Sequence, residues 1–162
     1  MSSDYLPSVI NRFLQYKSLA EKTMDQLDDE NLFWQYNENS NSIAILVQHL
    51  SGNMISRFTD FLTEDGEKAS RNRDAEFEPE NKTREQLLIT WNKGWDRLLQ
   101  TLNSLTAEDL SKTVSIRNQP MPAIDAINRQ LAHYSYHVGQ IVFIGKMILN
   151  DRWETLSIPK KK

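Results

Sequence analysis

Two histidines four residues apart, His133 and His137 in the stretch HYSYHVGQ, are the residues of this chain best spaced for chemistry. The third and last histidine, His49, lies far upstream in HLSGN. Residues i and i+4 share one face of a helix, so two imidazoles there can converge on one ion at about 2.0–2.1 Å each. A third imidazole from a facing helix would complete a three-nitrogen set. Such a set suits zinc, nickel, copper or iron(II) and leaves positions open for water or substrate. Spacing alone also allows a plainer reading, two partly buried histidines hydrogen-bonded to neighbours. Tyr134 and Ser135 follow His133, which excludes the H-E-x-x-H metalloprotease pattern.

Four apolar stripes at three-and-four spacing predict the helices that would carry these residues, over about 4–28, 41–62, 83–103 and 121–149. Asp4 is a candidate N-cap for the first, with Pro7 near its first turn, and Ser40, Asn41 or Ser42 for the second. Thr83 with Gln86 fits a capping box for the third. On a helical wheel His49 lies about 100° from Leu50, while His137 and His133 lie about 60° and 100° from Tyr134. All three therefore sit at the edges of apolar stripes, where side chains line a groove between helices. Trp91 and Trp95 fall on a stripe and read as core. The segment 104–110 reads as a turn or short helix, and TVSIRN at 113–118 alternates as a brief extended stretch. In the tail, Trp153, Leu156 and Ile158 are expected to dock on the helices. Residues 63–82 are strongly polar and form the longest connection, of a length that is usually functional or disordered.

Four long amphipathic segments in 162 residues predict one all-α domain spanning residues 1–162, a four-helix bundle. A short break makes the first two helices antiparallel neighbours. The long connection can cross the bundle and keep the second and third parallel. The composition is that of a soluble globular chain, 39% apolar and 25% charged. A net charge of -3 gives no basic stripe for nucleic acid, and Lys160–Lys162 is the only basic run. The chain holds no cysteine, so disulfides, thiolate metal sites and a cysteine nucleophile are excluded. With no signal peptide and no membrane-spanning run, a cytoplasmic location is expected.

The stretches HLSGN (49–53), WNKGW (91–95) and HYSYHVGQ (133–140) resemble the DinB-like, YfiT-type superfamily. SRFTDFLTEDGEKASRNRDAEF and WETLSIPK resemble its uncharacterised branch of small bacterial proteins, and the resemblance covers nearly the whole chain. It implies an up-down-down-up bundle, often dimeric, with a divalent metal on His49, His133 and His137; zinc or nickel is the expected ion. Characterised members include transferases that add low-molecular-weight thiols to small molecules and a maleylpyruvate isomerase.

With every histidine a ligand, proton transfer would fall to a carboxylate (Asp60, Asp74 or Glu76) or to the metal-bound species. Asn53 and Gln140 lie one turn from ligands and either orient them or merely occupy a polar groove. Arg57 falls within the second helix's apolar stripe and needs a carboxylate partner or a polar cavity. Its plainer reading is a structural ion pair, and that of Arg71 and Arg73 is a solvated loop; all three are candidate anion contacts. Three functions stay open: a metal-dependent, thiol-using S-transferase acting on a small molecule, a non-catalytic metal-binding bundle, and a structural homodimer. Neither nucleic acid nor a membrane is an expected partner.

Overall fold

The computed structural model describes residues 4–79 and 82–158. Five α-helices and one hairpin form its regular elements. They are α1 (Tyr5–Asp25), α2 (Asp29–Phe33), α3 (Ile43–Phe58), α4 (Arg84–Ser104), β1 (Thr113–Ile116), β2 (Gln119–Pro122) and α5 (Ala123–Leu149). The start of α4 is the predicted capping box, with Thr83 and Gln86 bonding reciprocally. Ser42 caps α3 through the Ile45 amide. At α1 the expectation fails: Asp4 precedes the helix but its side chain caps nothing, because its own backbone is already helical.

Two helices end earlier than the apolar periodicity predicts. α1 stops at Asp25, and Asp28 instead caps the short α2 by accepting from the Asn31 amide at 3.0 Å. α3 stops at Phe58: Thr59 is extended and Asp60 takes the left-handed conformation (φ 47°), which ends the helical ladder before Phe61 and Leu62. The extended stretch at 113–118 is a true strand. It pairs antiparallel with β2 across a two-residue turn, Arg117 and Asn118, both at positive φ. The paired β2 had no alternating signal, since PMP leaves it nothing to alternate. A 3-10 turn at Asp109–Ser111 fills the segment read as a turn or short helix.

Contacts set the senses of the long helices. Ser51 Oγ donates to the Thr90 carbonyl and Thr101 Oγ1 to that of Phe58, so α3 and α4 run parallel, as the long connection between them allows. Tyr5 bonds Asn128, and Thr23 lies against Gly145, so α1 and α5 also run parallel. Trp91 donates to Glu21 and Arg84 reaches the Met24 carbonyl, which sets α4 against α1. Tyr134 donates to Asn53 while His137 faces His49, which sets α3 against α5. α1 packs most closely on α5, not on α3 as the expected neighbour order had it. The short helix α2 occupies the link between α1 and α3.

The core is aromatic at its centre. Trp91, Trp95, Phe13 and Tyr134 are fully buried and meet edge-on or tilted. Gly94 lets α3 and α4 approach: a Cβ there would stand 2.7 Å from the Ser51 Cα. Trp153 packs on this core and Gln26 bonds the Glu154 backbone, but Ile158 is 92% exposed, so the tail docks only in part. No helix among the described residues is long and apolar enough to cross a membrane. Lys160–Lys162 lie outside the described residues.

α3 is the central element, with fourteen of its sixteen residues buried. That burial includes Gln48, His49, Ser51, Asn53, Ser56 and Arg57. The polar ones bond outward to what covers them. Gln48 donates to the Glu76 and Glu78 carbonyls, while Ser56 bonds the Gly66 carbonyl and the Lys68 amide. The connection after α3 therefore folds back along it, from 66 beside 56 to 76 beside 48. It is ordered without regular structure, apart from a 3-10 turn at Asp74–Phe77.

Candidate metal centre

The antiparallel crossing of α3 and α5 brings His49, His133 and His137 together. His133 Nε2 lies 3.2 Å from His49 Nε2 and 3.1 Å from His137 Nε2. One ligand atom from each of the three lies within 4.8 Å of the others. Nitrogens about 2.0–2.1 Å from a shared ion stand roughly 2.9 Å apart at right angles and 3.4 Å apart at the tetrahedral angle. Both separations fall inside that interval.

Hydrogen counting points the same way. His49 Nδ1–H donates to Glu76 Oε2 at 3.0 Å, and His137 Nδ1–H donates to Gln140 Oε1 at 2.7 Å. Each neutral ring then turns the lone pair of its Nε2 inward. His133 Nε2 faces both lone pairs and carries at most one hydrogen. At least one lone pair is left without a donor, an arrangement that a cation satisfies. The partners on Nδ1 also fix tautomer and ring orientation, as the outer groups of histidine metal sites do. Phe77 packs against His49 at a tilt, with ring centroids 4.6 Å apart.

The electrostatics keep the His133 and His137 rings neutral, with lone pairs available. Burial, with His137 and His49 alongside, pushes the His133 pKa down to about 3. Burial pushes His137 down to about 4, despite the Gln140 bond. Burial works to raise the Glu76 carboxyl, but the bonds from His49 and Arg71 outweigh it and hold the group ionised. Arg71 makes two of those bonds, both at 2.7 Å, and a third at 3.1 Å to Glu67. Glu67 also accepts from Arg57 at 2.9 Å and Arg117 at 2.8 Å; those bonds prevail over burial and hold it down to about 2. Asp65 ties the hairpin to this cluster, accepting from the Arg117 and Asn118 amides and the Ser115 hydroxyl.

The three rings open on a cavity of about 580 Å³. Asn53, Phe77, Gln130 and Tyr136 line it, together with Arg57, Arg71, Arg73, Arg117 and Arg129. Of the residues singled out from sequence, Gln140 meets a candidate ligand directly. Asn53 lines the cavity, but its amide oxygen accepts from Tyr134 at 2.8 Å. Arg57 has the ion pair expected of it, with Glu67. The solvated-loop reading of Arg71 is overturned: its side chain is 4% exposed, because two carboxylates draw it under the connection. Arg73 stays half-exposed, over the Phe77 ring at 5.0 Å. Asp74 is 97% exposed and Asp60 lies outside the cavity, so of the three carboxylates only Glu76 reaches the histidines.

Sequence reasoning missed Phe77, Tyr136, Arg117 and Arg129. Arg129 had a legible signal: it stands four residues before His133, on the same face of α5. Arg117 had none, since only the hairpin brings it to Glu67. A family model described as Protein of unknown function (DUF1572) matches residues 1–162. A comparison with curated proteins gave no significant match.

Proposed function

We propose that this chain, which belongs to the DUF1572 family, is a metal-dependent enzyme acting on a small molecule, with one divalent ion on His49, His133 and His137. The observation that carries this is the convergence of three imidazole nitrogens, two of them with their hydrogens committed elsewhere, at the wall of an open cavity. Structural zinc sites are closed by four protein ligands, whereas three ligands leave a position for reacting groups. Zinc or nickel is the ion we favour for three neutral imidazoles. The pairwise senses of the long helices agree with the up-down-down-up four-helix bundle of the DinB-like superfamily, which supports placing the chain there.

A bound divalent ion would supply acidity, bringing a coordinated water or thiol toward deprotonation at neutral pH. The chain's own residues do the rest. Glu76 and Gln140 hold two rings in the tautomer that offers Nε2. Phe77 and Tyr136 wall the cavity beside the rings. Thiol transfer to an electrophile, by a homodimeric protein in the cytoplasm, is the activity the resemblance suggests.

One observation favours a second reading, metal binding without catalysis. All three histidines would be taken as ligands and Glu76 is bonded to both His49 and Arg71, so among the described residues no imidazole or carboxylate at the cavity is left free to move a proton.

Metal analysis of untagged protein tests the centre. One divalent ion per chain is expected, and His137→Ala should lose it; full occupancy in that variant would refute the ligand set. Incubating metal-loaded protein with a low-molecular-weight thiol and an electrophile panel then separates the two readings. Thiol consumption that depends on the metal supports the enzyme, and its absence across the panel supports the second reading.

A further inference from the structure

The arginines around the cavity exceed what the fold requires. Five guanidiniums line it and no carboxylate does. Glu67 and Glu76 stand behind the wall: Glu67 serves Arg57, Arg71 and Arg117, and Glu76 serves Arg71 and the His49 ring. Asp74 meets Arg73 only on the exposed rim, at 3.6 Å. Five positive charges thus share three negative ones, an excess of two before any metal is counted. This is a local concentration, since the chain as a whole carries -3. Arg129 has no carboxylate within ion-pair distance among the described residues, yet it lines the cavity one turn before His133. Arg57, buried and also on the wall, leaves its Nε without an acceptor in the fold. Like charges gathered around a concave, partly water-excluded space cost stability unless an anion enters, and they draw anions in.

We infer that this cavity is an oxyanion site, which binds a small molecule through a carboxylate or phosphate group held by Arg129, Arg73 and Arg117 beside the three histidines. The inference rests on reading the cavity as the substrate site, and it adds the substrate's charge and the residues that recognise it. Arg57 and Arg71 are committed to carboxylates and shape the wall. The three rim arginines are at least half exposed or not held by a carboxylate of their own, and so remain able to fork onto an oxyanion.

Calorimetric titration of untagged protein, with and without zinc, tests this. The probes are inorganic phosphate, succinate and neutral erythritol. Binding of at least one anion and not of erythritol is expected. Arg129→Ala should weaken it at least about tenfold, the usual worth of one charge-assisted bond, with zinc content and melting temperature unchanged. A preference for phosphate would point to phosphate esters, and one for succinate to carboxylates. Zinc-loaded protein that binds neither anion would overturn the inference while leaving the metal centre standing. Unchanged anion affinity in Arg129→Ala with Arg73→Ala would also overturn it, since the anion would then rest on the metal alone. Anion binding by protein that takes up no zinc would support the inference and sink the metal centre.

Discussion

Gly52 sits on α3 where the Glu76 carboxylate is pressed against the helix, and Gly52→Ala should uncouple metal affinity from stability. A Cβ at Gly52 would stand 2.2 Å from Glu76 Oε1 and 2.7 Å from its Cδ. To reach ordinary contact at 3.4 Å the oxygen must retreat by at least 1.2 Å. The carboxylate cannot swing freely, because Arg71 holds both oxygens. A shift of that size takes the His49 bond from 3.0 Å out of hydrogen-bond range. His49 then loses the acceptor that fixes its tautomer. Losing such an outer partner typically costs about 10–100-fold in metal affinity. The helix itself favours alanine over glycine by about 1 kcal/mol, which largely offsets the lost His49 bond, so the metal-free chain should melt within a few degrees of wild type. Chelator competition with zinc reads the affinity, and a thermal melt of metal-free protein reads the stability. The decisive arm is the background. In Glu76→Ala the methyl has nothing to displace, so Gly52→Ala should there leave zinc affinity unchanged. A similar loss of affinity in both backgrounds would refute the reasoning.

Three further outcomes follow from the packing and the charges. Gly94→Ala places a methyl 2.7 Å from the Ser51 Cα, a backbone atom that cannot yield. It should cost about 1–3 kcal/mol in denaturant unfolding, as overpacking does, and no cost would mean that α3 and α4 are further apart than described. In metal-free protein, NMR titration should find the His133 and His137 rings neutral down to about pH 4, because their pKa values are pushed to about 3 and 4. The unfolded chain takes up protons from about pH 6.5 downward while the folded one does not, so metal-free stability should fall as the pH drops from about 6.5 to 4; ring titration near 6.5 in the folded protein would contradict this. Tyr134→Phe removes the buried donor to Asn53 and should cost about 1 kcal/mol with zinc affinity unchanged, whereas a large affinity loss would show that Asn53 acts on the centre.

The long helices were legible because their apolar periodicity and start signals are local. Ser42, Thr83 and the stripe through Trp91 and Trp95 need no tertiary information to be read. What failed was set at a distance or by single residues. Asp28 divides what looks like one helical end into two helices, and a positive φ at Asp60 cuts α3 short of two apolar residues that continue its stripe. β2 follows a turn that Asp65 anchors from more than fifty residues away in sequence.

The site shows the same division more sharply. His133 and His137 announce themselves by spacing, and the wheel puts His49 on a compatible edge. Their supports do not. The connection at 63–79 has no periodicity, so it reads as a solvated loop, and its arginines as solvated with it. Yet α3 carries Gln48, Ser56 and Arg57 among its buried residues, where an amphipathic helix of this length should have been either apolar or exposed. A buried polar side chain needs a partner, and α3 has more of them than its helical neighbours can serve. The polar residues that blur its stripe are the same ones that bind the connection, through the Gly66, Glu76 and Glu78 carbonyls and the Glu67 carboxylate. That binding delivers Glu76 to His49 and Arg71 to Glu76. A central helix too polar for its burial is therefore itself a sequence signal. It says that the adjoining polar stretch folds onto the helix, and that charged residues there can reach the site, as Glu67, Arg71 and Glu76 do.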